Sequence, residues 1–278
     1  MKTSTQLKAL VRNLSRKSNV GAEILLRNFM LERFLERIAV SDYRCNFILK
    51  GGMLIAAIVG IDTRTTMDMD ATIKAQTLTA SEITAIVEEI LRTPIDDGVE
   101  FTLRGIEEIH EEADYPGYRV SIAAVLDKTR QMLKVDITIG DFVTPREIEY
   151  SFKLMFEDRT ISILAYNLET VLAEKFETVV TRGVTNTRMR DFYDIYILTT
   201  TQTYDATAFK AALQKTVEKR GTTGQMLDMP EAIKMIGESP VMVDLWEKYR
   251  KKYSYADDVT WEMVIGAVKA LAGYLYNK

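Results

Sequence analysis

Two aspartates, Asp68 and Asp70, have the residue type and spacing that most directly suggest chemistry. They lie in residues 65–74, where apolar and polar residues alternate, and this alternation predicts a β-strand. Side chains two positions apart on a strand point to the same face, so the two carboxylates would project side by side. Such a pair repels itself unless a cation lies between the two groups, and Mg²⁺ accepts one or two carboxylates together with water and phosphate oxygens. We therefore predict Asp68 and Asp70 as ligands of Mg²⁺, with Mn²⁺ as the alternative ion. For the pair taken alone, a solvent-facing strand edge is the competing interpretation.

A third carboxylate, Asp136, lies in a predicted β-hairpin with strands over residues 118–126 and 131–139 and a turn over 127–130. The alternation of apolar residues places Asp136 on the polar face of its strand. If this strand lies beside the one that carries the first two aspartates, the three carboxylates form a cluster. Such a cluster can hold two metal ions, one activating an attacking hydroxyl and one stabilising a leaving pyrophosphate. We predict Asp136 as a catalytic residue, either a metal ligand or a base. On its own it would be an ordinary polar strand residue.

Paired glycines, Gly51 and Gly52, follow a short strand predicted over residues 46–49 and precede a small apolar helix. Glycines allow the backbone to approach a ligand closely, and a helix N-terminus offers unpaired N–H groups to an anion. The pair therefore suggests a phosphate-binding turn, and a simple tight turn between strand and helix is the alternative.

Cationic side chains near two predicted helices could bind the phosphates of a nucleotide. Lys175 falls within the apolar stripe of a helix over residues 168–182, so its ammonium must find an anion, either a phosphate or a nearby acid. Arg188 and Arg190 precede Asp191 at the start of the next helix, and such arginines can grip a triphosphate bidentately. The alternative for this segment is an acid at a helix N-terminus beside solvated arginines.

The composition excludes several other chemistries. The 278 residues include one histidine, His110, and one cysteine, Cys45, so a multi-histidine zinc or iron site, an intrachain disulfide and a CxxC pair are ruled out. His110 lies in an acidic run and is expected at the surface, and neither residue should be needed for activity. No apolar run is long enough to span a membrane, and the scarcity of cysteine favours the cytoplasm.

Charge is distributed unevenly along the chain. The net charge is −4, yet residues 1–37 carry eight basic and three acidic side chains, while residues 82–114 carry eleven acidic and two basic ones. An RNA acceptor would need a basic surface. The N-terminal region and residues 248–253, beside Trp246, are the two candidates, and solvated helix faces are the alternative for both.

The periodicities predict an α+β fold in two parts. Residues 1–160 are expected to form a mixed-sheet domain with flanking helices, and residues 161–278 a helical domain that contributes Lys175 and Asp191 to the site. Outside the segments above, the N-terminal part is expected to contain helices over 5–18, 21–38 and 81–91 (the last capped by Ser81) and strands near 99–106, 152–156 and 160–163. The C-terminal helices are expected over 168–182, 189–199, 206–219, 230–238, 241–252 and 260–276.

Taken together and in order, these motifs resemble the pattern of the AbiEii/AbiGii toxins, nucleotidyltransferase-like proteins of the DNA polymerase β superfamily. The resemblance covers about residues 50–198. The matching positions are Gly51-Gly52, Arg64-x-Thr66-x-Asp68-x-Asp70, Lys134-x-Asp136, Glu174-Lys175 and Arg188-x-Arg190-Asp191-x-x-Asp194. Relatives often have serine where this chain has Thr66.

This resemblance implies a nucleotidyltransferase-like mixed sheet and a metal-dependent nucleotidyltransferase activity. Asp68, Asp70 and Asp136 would hold the metal, while Gly51, Gly52, Arg64, Thr66, Lys175, Arg188 and Arg190 would bind the nucleotide. Asp191 would position Lys175 or act as the base.

The resemblance also implies a toxin of a bacterial toxin–antitoxin or abortive-infection system that acts in phage defence. Its substrates would be a nucleoside triphosphate, with GTP expected, and an RNA acceptor such as tRNA. A winged-helix antitoxin would be its partner, with or without a stable complex. A metal-dependent nuclease and a non-catalytic NTP-binding growth-arrest protein remain as alternatives.

Overall fold

The computed structural model of the chain describes residues 3–74, 77–110 and 116–276. Over these residues the chain forms eleven α-helices and one mixed sheet of seven strands. The strands are β1 (Phe47–Lys50), β2 (Met69–Ile73), β3 (Val99–His110), β4 (Pro116–Leu126), β5 (Thr129–Ile139), β6 (Ile148–Lys153) and β7 (Thr160–Ala165). The helices are α1 (Ser4–Ser18), α2 (Ala22–Val40), α3 (Gly51–Val59), α4 (Ala80–Arg92), α5 (Leu168–Arg182), α6 (Met189–Thr201), α7 (Ala206–Arg220), α8 (Thr223–Leu227), α9 (Met229–Glu238), α10 (Pro240–Lys252) and α11 (Trp261–Tyr276).

The chain divides into two compact units. Unit 1 runs to Asp141 and resumes with Glu147–Tyr166, and unit 2 contains Phe142–Arg146 and continues from Asn167. Unit 1 therefore holds the whole sheet with α1–α4, whereas unit 2 is helical. The predicted α+β class with a helical C-terminal part is confirmed. The domain boundary placed between residues 160 and 161 stays a prediction.

The sheet has the order β3-β4-β5-β2-β1-β7-β6. β2 pairs with β5 in parallel and with β1 in antiparallel orientation, and β4 pairs with β5 as an antiparallel hairpin. The apolar row of β5 is fully buried, while the alternating residues such as Asp136 are partly exposed. The adjacency of β2 and β5 on which the predicted carboxylate cluster depends is therefore present.

The strand predicted over residues 65–74 is wrong in its first half, since β2 begins only at Met69. The Asn28 side chain of α2 donates to the carbonyl of Thr66 (2.8 Å), and the Thr66 hydroxyl donates to the carbonyl of Asp68 (3.1 Å). These bonds hold residues 65–68 in a loop before β2. Asp68 thus lies in that loop, before the strand that carries Asp70, and the two do not share one strand face. Met67, in the same loop, is only half-buried.

Three other local predictions need correction. Thr79, not Ser81, caps α4, because its hydroxyl and the Glu82 carboxylate form a reciprocal capping box. The β4–β5 turn contains only Asp127 and Lys128, with Asp127 at a φ of +51°. The strand predicted over residues 152–156 is instead β6, which ends at Lys153.

A buried charged network joins α2 to the β6–β7 connection. Arg33 pairs with Glu36 (3.0 Å) and Glu157 (2.7 Å), while Glu32 accepts a hydrogen bond from the Met155 amide (3.0 Å). Burial raises the pKa of Glu32 to about 8, and the Met155 amide only partly offsets this effect. Glu32 therefore stays protonated at neutral pH.

In unit 2, α5 packs against α6 and α7, and an aromatic cluster fills the region around α10. Trp246 stacks on Tyr249 with ring centroids 5.3 Å apart, and both are buried. Cys45 in unit 1 is exposed, whereas the side chain of His110 lies outside the described residues. In the part of the chain described above, no helix is both long and apolar enough to cross a bilayer.

Candidate active site

The turn between β1 and α3 is built around the carboxylate of Asp70. Gly51 has a φ of +65°, and a Cβ at this position would lie 2.0 Å from Asp70 Oδ2 and 2.6 Å from its Cγ. Only glycine leaves room for the carboxylate here, and it adopts this φ without strain. The Gly52 amide donates to Asp70 Oδ2 (3.3 Å). In this structure, the predicted phosphate-binding turn therefore holds Asp70 at the positive end of α3.

The loop before β2 packs closely on the same turn. Arg64 and Thr66 are buried, with 1% and 4% of their surfaces exposed. A Cβ at Gly52 would lie 2.7 Å from Thr66 Oγ1 and 3.3 Å from Arg64 Nη2. The Arg64 guanidinium donates to the Thr65 carbonyl. The structure thus brings Gly52, Arg64 and Thr66 together, and their role in binding a nucleotide stays a prediction.

Charged residues form a continuous row across five neighbouring strands. Backbone pairing places Lys50 opposite Asp70, Asp70 opposite Asp136, Asp136 opposite Arg119, and Arg119 opposite Glu107. Paired residues on adjacent strands point to the same face, and their backbones lie about 4.8 Å apart. Two carboxylates, those of Asp70 and Asp136, are therefore direct neighbours in the middle of the row. Like charges in this position destabilise a sheet unless cations offset them.

Arg119 binds the Asp136 carboxylate through both oxygens. Its Nε lies 2.8 Å from Oδ1 and its Nη2 2.7 Å from Oδ2. This contact raises the pKa of the Arg119 guanidinium further, against the opposing effect of burial, and Asp68 and Glu107 add smaller contributions in the same direction. Arg119 lies in the predicted hairpin, but no motif in the sequence marks it as a site residue.

A second group of contacts surrounds Asp141, near the Lys50 end of the row. The Lys50 ammonium lies 2.7 Å from Asp141 Oδ2, and the Tyr166 hydroxyl donates to the same oxygen (3.0 Å). The Thr138 hydroxyl also donates to it. Asp141 therefore forms an ion pair with Lys50, the residue whose backbone is paired with that of Asp70. No periodic pattern marks Asp141 in the sequence, because it follows the end of β5.

In unit 2, Lys175 of α5 lies between two acids of α6. Its ammonium is 2.5 Å from Asp191 Oδ1 and 3.0 Å from Asp194 Oδ2, and the side chains of these acids are 4% and 0% exposed. Arg188 Nε lies 3.3 Å from Asp191 Oδ2. Of the two solutions open to an inward-facing lysine, this structure shows the ion pair with nearby acids. It brings together Lys175, Asp191 and Arg188 within this unit.

Arg190 points elsewhere in unit 2. Its Nη2 donates to the Tyr253 hydroxyl (3.0 Å), and its guanidinium lies 5.5 Å from the centre of that ring. The structure therefore separates its contacts from those of Arg188, which forms an ion pair with Asp191. A nucleotide-binding role for both arginines stays a prediction.

The donors around Asp70 fit a hard divalent cation. Oxygen ligands predominate, and Mg²⁺ in proteins commonly uses one or two carboxylates and completes its shell with water and phosphate oxygens. Asp70 and Asp136 are paired on adjacent strands, and the Asp68 carboxylate is close enough to affect the Arg119 charge. Among the described residues, no three or more acids, histidines or cysteines are already grouped to hold a metal. Within the described residues, the structure therefore offers two facing carboxylates, Asp70 and Asp136, and not the predicted cluster of three, to a cation that would complete its shell with water and phosphate oxygens.

The two candidate basic surfaces differ in their ion pairs. In the C-terminal stretch, Lys248 pairs with Asp244 (2.6 Å) and Arg250 with Glu247 (3.1 Å). On α1, Lys8, Arg12 and Arg16 are exposed at four-residue intervals, and within residues 3–74, 77–110 and 116–276 none of the three has an ion-pair partner within 4 Å. We call these three residues the α1 stripe. Cations at this spacing repel one another mildly.

Comparison with known proteins gives two kinds of similarity. The profile of a family described as nucleotidyl transferase AbiEii toxin, type IV toxin–antitoxin system, matches residues 33–266. The structure is similar to MenT4, a nucleotidyltransferase toxin from Mycobacterium tuberculosis, with a TM-score of 0.59 and 15% identity over 96% of this chain and 97% of that one. It is also similar to JHP933 from Helicobacter pylori, with a TM-score of 0.51 and 15% identity over 92% and 93% of the two chains. At these identities the likeness concerns the fold alone. No curated protein matches the sequence.

Proposed function

The chain belongs to the AbiEii family of nucleotidyl transferase toxins, and we propose that it transfers a nucleotide from a nucleoside triphosphate to an RNA acceptor. The membership confirms the resemblance drawn from the motifs. We propose GTP as the nucleotide, tRNA as the acceptor and the cytoplasm as the site of action. The in-register pairing of Asp70 with Asp136 beside the Gly51 turn supports this proposal most strongly.

In the proposed site, Asp68, Asp70 and Asp136 hold Mg²⁺ or Mn²⁺. When bound, the ion would supply Lewis-acid stabilisation of the triphosphate and lower the pKa of an attacking hydroxyl. Asp70 is already fixed in position by the Gly52 amide (3.3 Å). Asp136 is the candidate base for the acceptor hydroxyl if it does not bind the ion.

The basic and small residues of the motifs would bind the triphosphate. Gly51 and Gly52 would allow phosphate oxygens to approach the backbone at the N-terminus of α3. The buried Arg64 and Thr66 pack against this turn. Arg64 is also proposed to neutralise phosphate charge.

We propose nucleotide-binding roles for charged residues of unit 2. Lys175 would offset phosphate charge, and Asp191 would orient its ammonium through the 2.5 Å contact. Arg188 and Arg190 are proposed as further triphosphate contacts. Because Asp191 already bonds to Lys175, a positioning role accounts for this geometry better than a role as base.

The biological role follows from the family. We propose that the protein arrests growth as the toxin of a toxin–antitoxin pair and limits phage spread. A winged-helix antitoxin encoded alongside it is the proposed partner, whether or not a stable complex forms. For the RNA acceptor, we propose the α1 stripe as a contact surface, since its cations form no ion pair with any residue that the structure describes.

The test is incubation of the purified protein with Mg²⁺, labelled nucleoside triphosphates and total cellular RNA. We expect label to become joined to RNA, and we expect Asp68→Ala and Asp70→Asn to lose this transfer while keeping a native circular dichroism spectrum. Asp158→Asn, in an exposed loop, is the matched control and should transfer normally. Transfer retained by a folded Asp68→Ala protein would refute the proposal. Shortened RNA without label would instead show a nuclease, and bound but unreacted nucleotide a binding protein.

A further inference from the structure

The carboxylate of Asp136, in the middle of the charged row, is engaged in an ion pair with Arg119. Both carboxylate oxygens of Asp136 accept hydrogen bonds from the same guanidinium, at 2.8 Å and 2.7 Å. The side chain of Asp136 is 15% exposed, whereas that of Arg119 is 38% exposed. The arginine therefore lies on the solvent side of the pair and covers the carboxylate.

This arrangement competes with any cation at the centre of the row. Asp136 is paired with Asp70 on the neighbouring strand, so a cation bound by both carboxylates would need at least one oxygen that Arg119 now holds. The guanidinium is also close enough to Asp68 for that carboxylate to stabilise its charge. A divalent cation that binds here must therefore displace Arg119 from the Asp136 carboxylate, and the positive charge of the guanidinium repels it.

Displacing Arg119 needs little rearrangement of the protein. The guanidinium can rotate outward into water, because it is the more exposed partner of the pair. Ion pairs with a solvent-accessible partner are weak compared with the contact between a carboxylate and a dication. Asp136 would stay in place, since its backbone is fixed between β2 and β4.

We propose that Arg119 is a positioning residue that holds Asp136 in a closed ion pair until a divalent cation displaces it, and that this competition sets the metal affinity of the protein. The inference rests on the proposed function, in which Asp136 belongs to the metal site. The arginine keeps the facing carboxylates compatible with a stable fold when no cation is bound. It also makes the cation depend on the additional oxygen ligands of a triphosphate for tight binding.

The test is titration of the full-length protein with MnCl₂ alone, following the free ion by electron paramagnetic resonance. Arg119→Gln should bind Mn²⁺ at least about tenfold more tightly than the wild type, because both the rival for Asp136 and the nearby charge are removed. Arg119→Lys should bind about threefold more tightly, since lysine keeps the charge but cannot hold both oxygens in a fork. Arg130→Gln, which removes the same charge about 20 Å away along β5, should match the wild type.

Several outcomes would overturn the inference. An unchanged or weakened affinity in Arg119→Gln would do so, including the case in which neither protein binds Mn²⁺. A tighter Arg119→Gln combined with an unchanged Arg119→Lys would show simple charge repulsion instead of competition for Asp136. A purely structural role for Arg119 would lower the melting temperature without any gain in affinity.

The proposed function fails separately from this inference. If the wild type labels RNA but Arg119→Gln shows no tighter Mn²⁺ binding, only the role of Arg119 is wrong. If Arg119→Gln binds Mn²⁺ more tightly and Asp70→Asn removes that binding, the role of Arg119 stands even where no label reaches RNA.

Discussion

Replacing Gly51 with alanine tests whether the Asp70 carboxylate occupies the space against the β1–α3 turn. The new methyl group would lie 2.0 Å from Asp70 Oδ2, 2.6 Å from its Cγ and 2.7 Å from its Cβ. No real carbon contact is this short, so either the carboxylate or the turn must move. We therefore expect Gly51→Ala to lose both stability and nucleotide transfer, because the residue that moves is a proposed metal ligand.

The loss of stability expected for Gly51→Ala has two parts. The φ of +65° costs a residue with a Cβ about 1–2 kcal/mol. Overpacking in a site that can adjust only by moving side chains and backbone adds about 1–3 kcal/mol. Together these predict that Gly51→Ala lowers the free energy of unfolding by about 2–5 kcal/mol.

Gly221→Ala separates the two parts. Gly221 has a φ of +66°, and a Cβ there would meet no atom within 4 Å, so only the cost of about 1–2 kcal/mol for φ should appear. Urea unfolding of both variants, followed by circular dichroism, gives the comparison. Adding Asp70→Gly to Gly51→Ala should recover the overpacking part. If Gly51→Ala costs no more than Gly221→Ala, the carboxylate does not lie against the turn and the reasoning fails.

Three further predictions concern charge. Glu32 stays protonated in the folded protein up to about pH 8 but ionises in the unfolded chain near pH 4.5. The free energy of unfolding should therefore fall as pH rises between these values, by at most about 1.4 kcal/mol per pH unit, and urea unfolding of Glu32→Gln from pH 5 to 8 should show a flatter profile. Lys175→Met removes the cation that the buried Asp191 and Asp194 share and should cost about 3–5 kcal/mol by thermal denaturation, part of which Asp194→Asn should restore. Exchanging the three cations of the α1 stripe for glutamine should reduce the salt dependence of tRNA binding, with a slope about 2 units smaller in a filter assay, whereas Lys248→Gln should leave it unchanged.

Most helices and strands could be predicted from the sequence because their apolar periodicity coincides with burial in the structure. One exception, at residues 65–68, has a tertiary cause. The alternation there continues smoothly into β2, but the Asn28 side chain, 38 positions earlier, binds the Thr66 carbonyl and holds the segment in a loop. No local pattern contains this contact. The consequence for the site is that Asp68 lies before β2 and Asp70 within it.

Arg119 was missed because of a two-residue difference in the hairpin turn. A turn over residues 127–130 would place Asp136 opposite Ser121. The observed turn of Asp127 and Lys128 shifts the register so that Asp136 faces Arg119. Asp127 at position one of a tight turn is an acceptable signal for the shorter loop, since aspartate tolerates a positive φ. A correct turn length would therefore have revealed the Arg119–Asp136 pair from the sequence.

For Lys175, the sequence left a phosphate and a nearby acid as equal partners, and the periodicity could not choose between them. That choice depends on how α5 packs against α6, which brings Asp191 and Asp194 of one helix to the same ammonium of the other. A single helix pattern shows that Lys175 faces inward, but not which side chains it meets there.

The charged row explains how facing carboxylates can exist in a stable sheet before any cation binds. Asp70 and Asp136 repel each other across neighbouring parallel strands, and this repulsion must be offset by groups at their outer sides. The Gly52 amide at the N-terminus of α3 offsets the charge of Asp70, and the Arg119 fork offsets that of Asp136. These are also the groups that a phosphate-bound dication would replace, since phosphate suits the amide and the dication suits the carboxylate. The proposed metal site needs neither histidine nor cysteine, which accords with the single copy of each in 278 residues.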